Sequence, residues 1–207
     1  KITRHWLWIM AAFLAAMLFS GCSSLTDFEN SQEFSQDAIS RVEPGNSLSQ
    51  TFLVSRSGID GLTLWLAPEP SAAPEQFQLI LQVLSWPDGL ELRKQVVGYG
   101  SLASSFPYRF SFEPLQVQPG DSLEVKLQTS GPGVWAYGRS EDNYPYGLAY
   151  QNDAPLQADL AFRLSYRYDE SHFAQDLNHA VPRLWIALPL AALLILPGLA
   201  LLHLSGM

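Results

Sequence analysis

The stretch GVWAYGRSEDNYPYGLAYQND concentrates side chains that could recognise a ligand. Trp135, Tyr137, Tyr144, Tyr146 and Tyr150 alternate there with Arg139, Glu141, Asp142 and Asn143. Sugars lay their CH surfaces on flat aromatic rings, while carboxylates, amides and guanidinium groups bond the hydroxyls. The segment is therefore a candidate carbohydrate site. The competing reading is an ordinary run of sheet tyrosines, enriched because aromatic rings pack well on a pleat. A glycan site expects these rings exposed; a protein-interaction module expects them covered. Glu141, Asp142, Asn143 and Asp153 also offer hard oxygen ligands for calcium, but without the spacing of a known binding loop.

A second pattern lies further on. Asp169, His172, Asp176 and His179 are spaced three, four and three apart, which puts all four on one face of a helix. Such a face could bind a metal or sense pH; the alternative is a solvated connector.

Covalent catalysis finds no support. The chain has no HExxH, GxSxG or P-loop, and no histidine lies between His5 and His172. Its single cysteine, Cys22, permits neither an internal disulfide nor a cysteine-cluster zinc site. A self-contained enzyme is not expected, and no cofactor is implied.

Charge narrows the partners. Between Asp27 and Asp176 lie all twenty carboxylates, and only nine Lys or Arg fall among them, leaving that region eleven charges negative. A surface of that sign repels phosphate backbones, so nucleic acid is excluded as a partner.

The two ends are apolar. Residues 6–21, WLWIMAAFLAAMLFSG, follow Lys1, Arg4 and His5, the layout of an export signal. Phe19-Ser20-Gly21-Cys22 resembles a bacterial lipobox, with Phe19 where such boxes usually carry Leu. Cys22 is thus a possible lipidation site, and the alternative is an uncleaved signal anchor. Residues 184–202 carry no charge over nineteen positions. As a helix such a run matches the hydrocarbon thickness of a bilayer, and it fits a transmembrane span. Trp185 and Arg183 sit where interfacial anchors belong.

The elements that would position the chemistry lie between. SLSQTFLV and GLTLWLA alternate apolar and polar residues, as half-buried strands do. QFQLILQVLSW and LELRKQVVGY flank the turn Pro87-Asp88-Gly89, and Pro119-Gly120-Asp121 separates another pair. Eight or nine strands separated by regularly recurring turn signals predict an all-β fold, an antiparallel β-sandwich of jelly-roll type. Leu64, Leu66, Leu79, Leu81, Val83, Phe110, Phe112, Val125, Leu127, Leu160, Phe162 and Leu164 should fill its core.

The expected organisation is a signal anchor or lipoprotein signal at 1–22 and a polar linker at 23–37. An extracytoplasmic sandwich at 38–168 follows, then a juxtamembrane connector at 169–183 and a transmembrane helix at 184–203.

The order QTF…IDGLTLWLA, YRFSFEPL…GDSLEVKLQTS and YGLAYQNDAPLQADLAFRLSY resembles the extracytoplasmic jelly-roll segments of some bacterial multi-pass envelope membrane proteins, some of them associated with glycosyl transfer. The resemblance covers most of 38–168 and rests on strand patterns. It implies a bacterial cell membrane location with the main domain outside the cytoplasm, and it carries no catalytic residue onto this chain. The functional expectation is a membrane-anchored module that binds or positions envelope glycan. The alternatives are a structural module packed on partner membrane helices, or the front part of a larger polytopic glycosyltransferase-like protein.

Overall fold

Strand pairing dominates the molecule. The computed structural model describes residues 24–70, 74–169, 172–174 and 176–178. The signal or anchor expected at 1–22, Cys22 with it, and the transmembrane helix at 184–203 lie outside the described residues. Among the described residues no helix is long and apolar enough to cross a membrane. The described residues up to Arg167 form one compact unit, and Tyr168 and the described residues after it belong to another.

The strands of the first unit, in chain order, are β1 (Ser24–Gln32), β2 (Asp37–Val42), β3 (Ser47–Leu53), β4 (Ile59–Leu64), β5 (Leu66–Pro68), β6 (Gln78–Trp86) and β7 (Glu91–Gly98). After a short helix α1 (Tyr99–Ala103) come β8 (Tyr108–Ser111), β9 (Ser122–Thr129), β10 (Val134–Arg139), β11 (Ala149–Gln151), β12 (Ala154–Leu156), β13 (Asp159–Leu160) and β14 (Phe162–Arg167). Every pairing among them is antiparallel. The expected turns are present, with Gly89 at φ 70° and Gly120 at φ 97°. A residue without Cβ adopts this left-handed conformation cheaply.

One layer is a six-stranded sheet in the order β12-β11-β3-β9-β6-β7. The other is built from β1-β14-β4-β8 and from β10, which carries β2 on one edge and both β5 and β13 on the other. Because β4 runs on into β5 and β13 leads into β14, β10 lies across the end of the β4–β14 pair. The Tyr137 amide donates to Trp65 O at 2.9 Å, and Tyr137 O accepts from the Ala161 amide at 2.9 Å, so one residue stitches both strands at this corner.

The core lies between the layers. Leu48 and Phe52 of β3, Leu79, Leu81 and Val83 of β6, and Leu123, Val125 and Leu127 of β9 are buried. They meet Leu62, Leu64, Phe110, Leu160, Phe162 and Leu164 in one cluster. The Phe52 and Phe162 rings touch across the layers at 5.6 Å between centroids. Each such side chain contributes roughly 1.5–3 kcal/mol by leaving water. Of the core positions expected from alternation, only Phe112 is half-exposed, packed against the cluster from outside. The Gln50 carboxamide crosses the gap as well, its Oε1 accepting the Leu160 amide at 3.0 Å.

The tract expected as a polar linker, 23–37, is largely sheet. SLTDFENSQ is β1 and pairs along β14 from Ser24↔Arg167 to Gln32↔Phe162, with a register shift between Asp27 and Gln32. Its polar composition hides the strand because its buried side chains are Asp27 and Asn30, whose needs are met by the end of β3 and the residues just after it. Asn30 Nδ2 donates to Leu53 O at 2.9 Å, and Asp27 accepts from the hydroxyl of Ser55. An edge strand satisfied by polar ties shows no period-two apolar signal.

Candidate functional site

The site begins with the alternation of β10. Val134, Ala136 and Gly138 point inward and are buried, so Trp135, Tyr137 and Arg139 share the outer face. Trp135 remains 38% exposed, with the Arg41 guanidinium 5.8 Å from its ring centroid. Arg41 is itself fixed by Glu43 and Glu69, each at 2.6 Å. The Tyr137 ring meets exposed Phe106 edge-on at 5.4 Å. Arg139 lies over Phe34 at 5.2 Å and is 3.7 Å from Glu141 Oε2.

The row ends at a cleft of about 240 Å³, lined by Arg139, Asn143, Tyr144 and Tyr146 on one side and by Ser31 to Glu33 on the other. Asp159 also lines it. In the β10–β13 ladder Arg139 and Asp159 are direct partners. That approach requires Gly138: a Cβ there would lie 1.9 Å from Asp159 O. The loop after β10 then folds over β13. The amides of Asn143 and Tyr144 both donate to Asp159 Oδ2, at 2.6 and 2.7 Å. Asp159 is fully buried, and its Oδ1 has no hydrogen-bond partner among the described residues. Burial raises its pKa above the ordinary 3.8. The two amide bonds work against that rise, because they favour the charged form.

The opposite wall is tied down by an ion pair. Arg163 Nε and Nη2 donate to the two oxygens of Glu33 at 2.7 and 2.5 Å. This fork-to-fork contact fixes the segment after β1. It also holds the Arg163 pKa above its usual value.

The structure sorts the residues singled out from sequence into separate places. Trp135, Tyr137 and Arg139 form the outer row. Asn143, Tyr144 and Tyr146 join Arg139 around the cleft, with Tyr146 half exposed. Tyr144 is a core residue: its ring packs edge-on against Phe162 at 5.2 Å, and its hydroxyl donates to Asn30 O at 3.3 Å. Burial pushes that phenol's pKa well above its normal value. Glu141 and Asp142 are exposed on the turn, where Glu141 Oε2 accepts from Asn143 Nδ2 at 2.9 Å. Tyr150 belongs to the other layer, on β11, where its ring lies 5.7 Å from Trp86. Asp153 pairs with Lys126 at 3.0 Å in that layer, away from the Glu141 turn.

In the second unit, residues 172–174 and 176–178 are helical. Asp169 Oδ1 is 2.8 Å from His172 Nδ1, and Tyr168 donates to Asp176 Oδ2 at 3.1 Å. His179 lies outside the described residues. Among the described residues no three His, Cys, Asp or Glu side chains cluster as metal ligands would.

Sequence reasoning missed Asp159 and Glu33. In ADLAFRLSY the apolar alternation assigns Asp159 to the outer face, which reads as solvent-exposed. Only the folded-over 143–146 loop buries it.

No family model and no curated protein matches the chain. Among solved structures, the "Structure of infectious bursal disease virus Gx strain" is similar at 12% identity over 79% of this chain and 48% of that chain, with a TM-score of 0.23. The chain thus spans about half the length of that protein. A likeness of this size carries no argument.

Proposed function

We propose that the protein is a binding module for envelope glycan. Its jelly-roll-like sandwich would be displayed outside the cytoplasm on a bacterial membrane, anchored by the apolar segments at 1–22 and 184–203. The observation that carries the reading is the outer face of β10. Trp135, Tyr137 and Arg139 stand in line there, flanked by Phe106 and Arg41 and ending at a cleft with charged groups of both signs. Aromatic faces at intervals along one strand suit successive rings of a sugar chain, and the polar ends suit its hydroxyls.

A second reading is a module that docks on a partner protein or on partner membrane helices. It is favoured by Phe28 and Phe106, apolar rings 77% and 57% exposed. Apolar surface left in water is a common mark of a contact face. A third reading makes the chain the front part of a polytopic glycosyltransferase-like enzyme with its chemistry elsewhere.

The deciding experiment is titration of the full chain in detergent with neutral, acidic and amino oligosaccharides, using wild type and Trp135→Ala. Glycan recognition expects binding that Trp135→Ala weakens at unchanged melting temperature. Absence of binding across the panel would leave the docking reading in its place.

A further inference from the structure

We propose that Asp159 is the residue that selects the ligand: its buried, unpartnered oxygen, Oδ1, accepts a hydrogen bond from a hydroxyl of a single terminal sugar residue seated in the cleft, while the rest of the glycan runs along Trp135 and Tyr137. This rests on the glycan reading and sharpens it from chain binding to chain-end recognition.

The geometry of the carboxylate is the starting point. Oδ2 is saturated by two backbone amides at 2.6 and 2.7 Å, which fixes the group's rotation and leaves Oδ1 committed to nothing. Oδ1 is buried, partnerless among the described residues, and belongs to a side chain that lines the cleft. A buried acceptor left unmade costs more than an ordinary hydrogen bond returns, so folds keep one where an arriving group completes it. Arg139, the direct cross-strand partner, forms no ion pair with Asp159; it goes to Phe34 and toward Glu141 instead.

Charge and size then choose the ligand. Glu33 is neutralised by its two bonds to Arg163. Around the cavity stand Asp159 with its unpartnered Oδ1, the Arg139 guanidinium and the Gln32 and Asn143 carboxamides, with the exposed Tyr146 ring beside them. Asp159 and Arg139 carry opposite charges, so neither a free anion nor a free cation is favoured by both. A neutral polyol donates a hydrogen bond to Asp159 and accepts one from Arg139. The cavity, about 240 Å³, is smaller than pockets that hold drug-sized molecules, which fits one sugar ring rather than two. A chain that continues must leave it along the open β10 row.

Asp159→Asn tests the proposal directly. Its carboxamide oxygen can still accept the two amides, while an NH2 group replaces the open acceptor. The full chain in detergent is titrated calorimetrically with malto-, cello- and chito-oligosaccharides of one to six residues, as wild type, Asp159→Asn and Trp135→Ala. The expected result is an affinity loss of at least about tenfold in Asp159→Asn for every length that binds, the cost of one hydrogen bond to a charged group. Trp135→Ala should weaken only the longer chains. Wild-type affinity in Asp159→Asn together with loss in Trp135→Ala overturns the role of Asp159, Oδ1 then holding only a trapped water, and leaves glycan binding standing. No binding by wild type at any length removes both. Should Asp159→Asn fail to fold, the ¹³C carboxyl resonance of Asp159 in wild type decides. It shifts on saturation with the bound oligosaccharide if a hydroxyl reaches it, and stays fixed if none does.

Discussion

Arg139 and Asp159 face each other across the β10–β13 ladder, yet no ion pair joins them: the carboxylate is held by backbone amides and the guanidinium by a phenylalanine ring. The 143–146 loop reaches Asp159 first. Amide dipoles substitute for the missing cation without neutralising the charge, so the carboxylate is buried as an acceptor rather than as half of a salt bridge.

The consequence for stability has a definite sign. Burial raises the Asp159 pKa, opposed by the Asn143 and Tyr144 amides and by Arg139, and aided by nearby Asp142. The native state therefore keeps a proton at pH values where the unfolded chain, with its ordinary 3.8, has released it. Stability contributed by this group is greatest below that value, falls as pH rises through the raised native pKa, and is level above it. Asp159→Asn should remove this slope, so its melting temperature gains on wild type as pH increases. Melts over a pH series check it; a difference that grows toward acid pH would contradict the burial argument.

Tyr144 should behave as core. Tyr144→Ala removes a ring packed on Phe162 and is expected to cost about 3–5 kcal/mol. Tyr144→Phe loses only the bond to Asn30 O, about 1 kcal/mol. Denaturant titration separates the two, and near-equal losses would show that the hydroxyl, not the packing, matters.

Two glycines set strand approaches. At Gly138 an added Cβ would lie 1.9 Å from Asp159 O, and at Gly147 the same distance from Thr51 O. Both obstacles are backbone, so neither can move aside alone. Gly138→Ala and Gly147→Ala should each destabilise by more than the ordinary ~1 kcal/mol of a point change. Gly98, where an added Cβ meets open space, is the control. Gly98→Ala should stay within about 1 kcal/mol of wild type. Equal stability of all three variants by chemical denaturation would refute the packing account.

Trp135 is exposed, and its loss should leave the core intact. Trp135→Ala is expected to stay within about 0.5 kcal/mol of wild-type stability, as surface positions generally do. A large drop in its denaturation midpoint would mean that the ring and its Arg41 contact serve the fold instead of a ligand.

The sequence by itself determined the sandwich. Period-two runs such as QLILQVLSW and SLEVKLQT commit one face to the interior, since a shift of one residue would expose Leu79, Leu81 and Val83 of the first and Leu123, Val125 and Leu127 of the second. The glycine turns at 89 and 120 were readable for an equally local reason, the left-handed φ they adopt. Tertiary structure decided where polar residues end up. β1 escaped notice because its buried positions are Asp27 and Asn30, satisfied by Ser55 and Leu53 from elsewhere in the chain. The aromatic segment was legible as composition but not as geometry. Backbone alternation put Trp135, Tyr137 and Arg139 on one face, while chain reversal carried Tyr150 to the opposite layer. Asp159 shows the limit most sharply. Its place in the alternation assigns it to the outer face, and its burial depends on an earlier loop whose Asn143 and Tyr144 donate two amides. Periodicity is a property of neighbours along the chain; the environment of a single carboxylate is set by residues that only folding brings near.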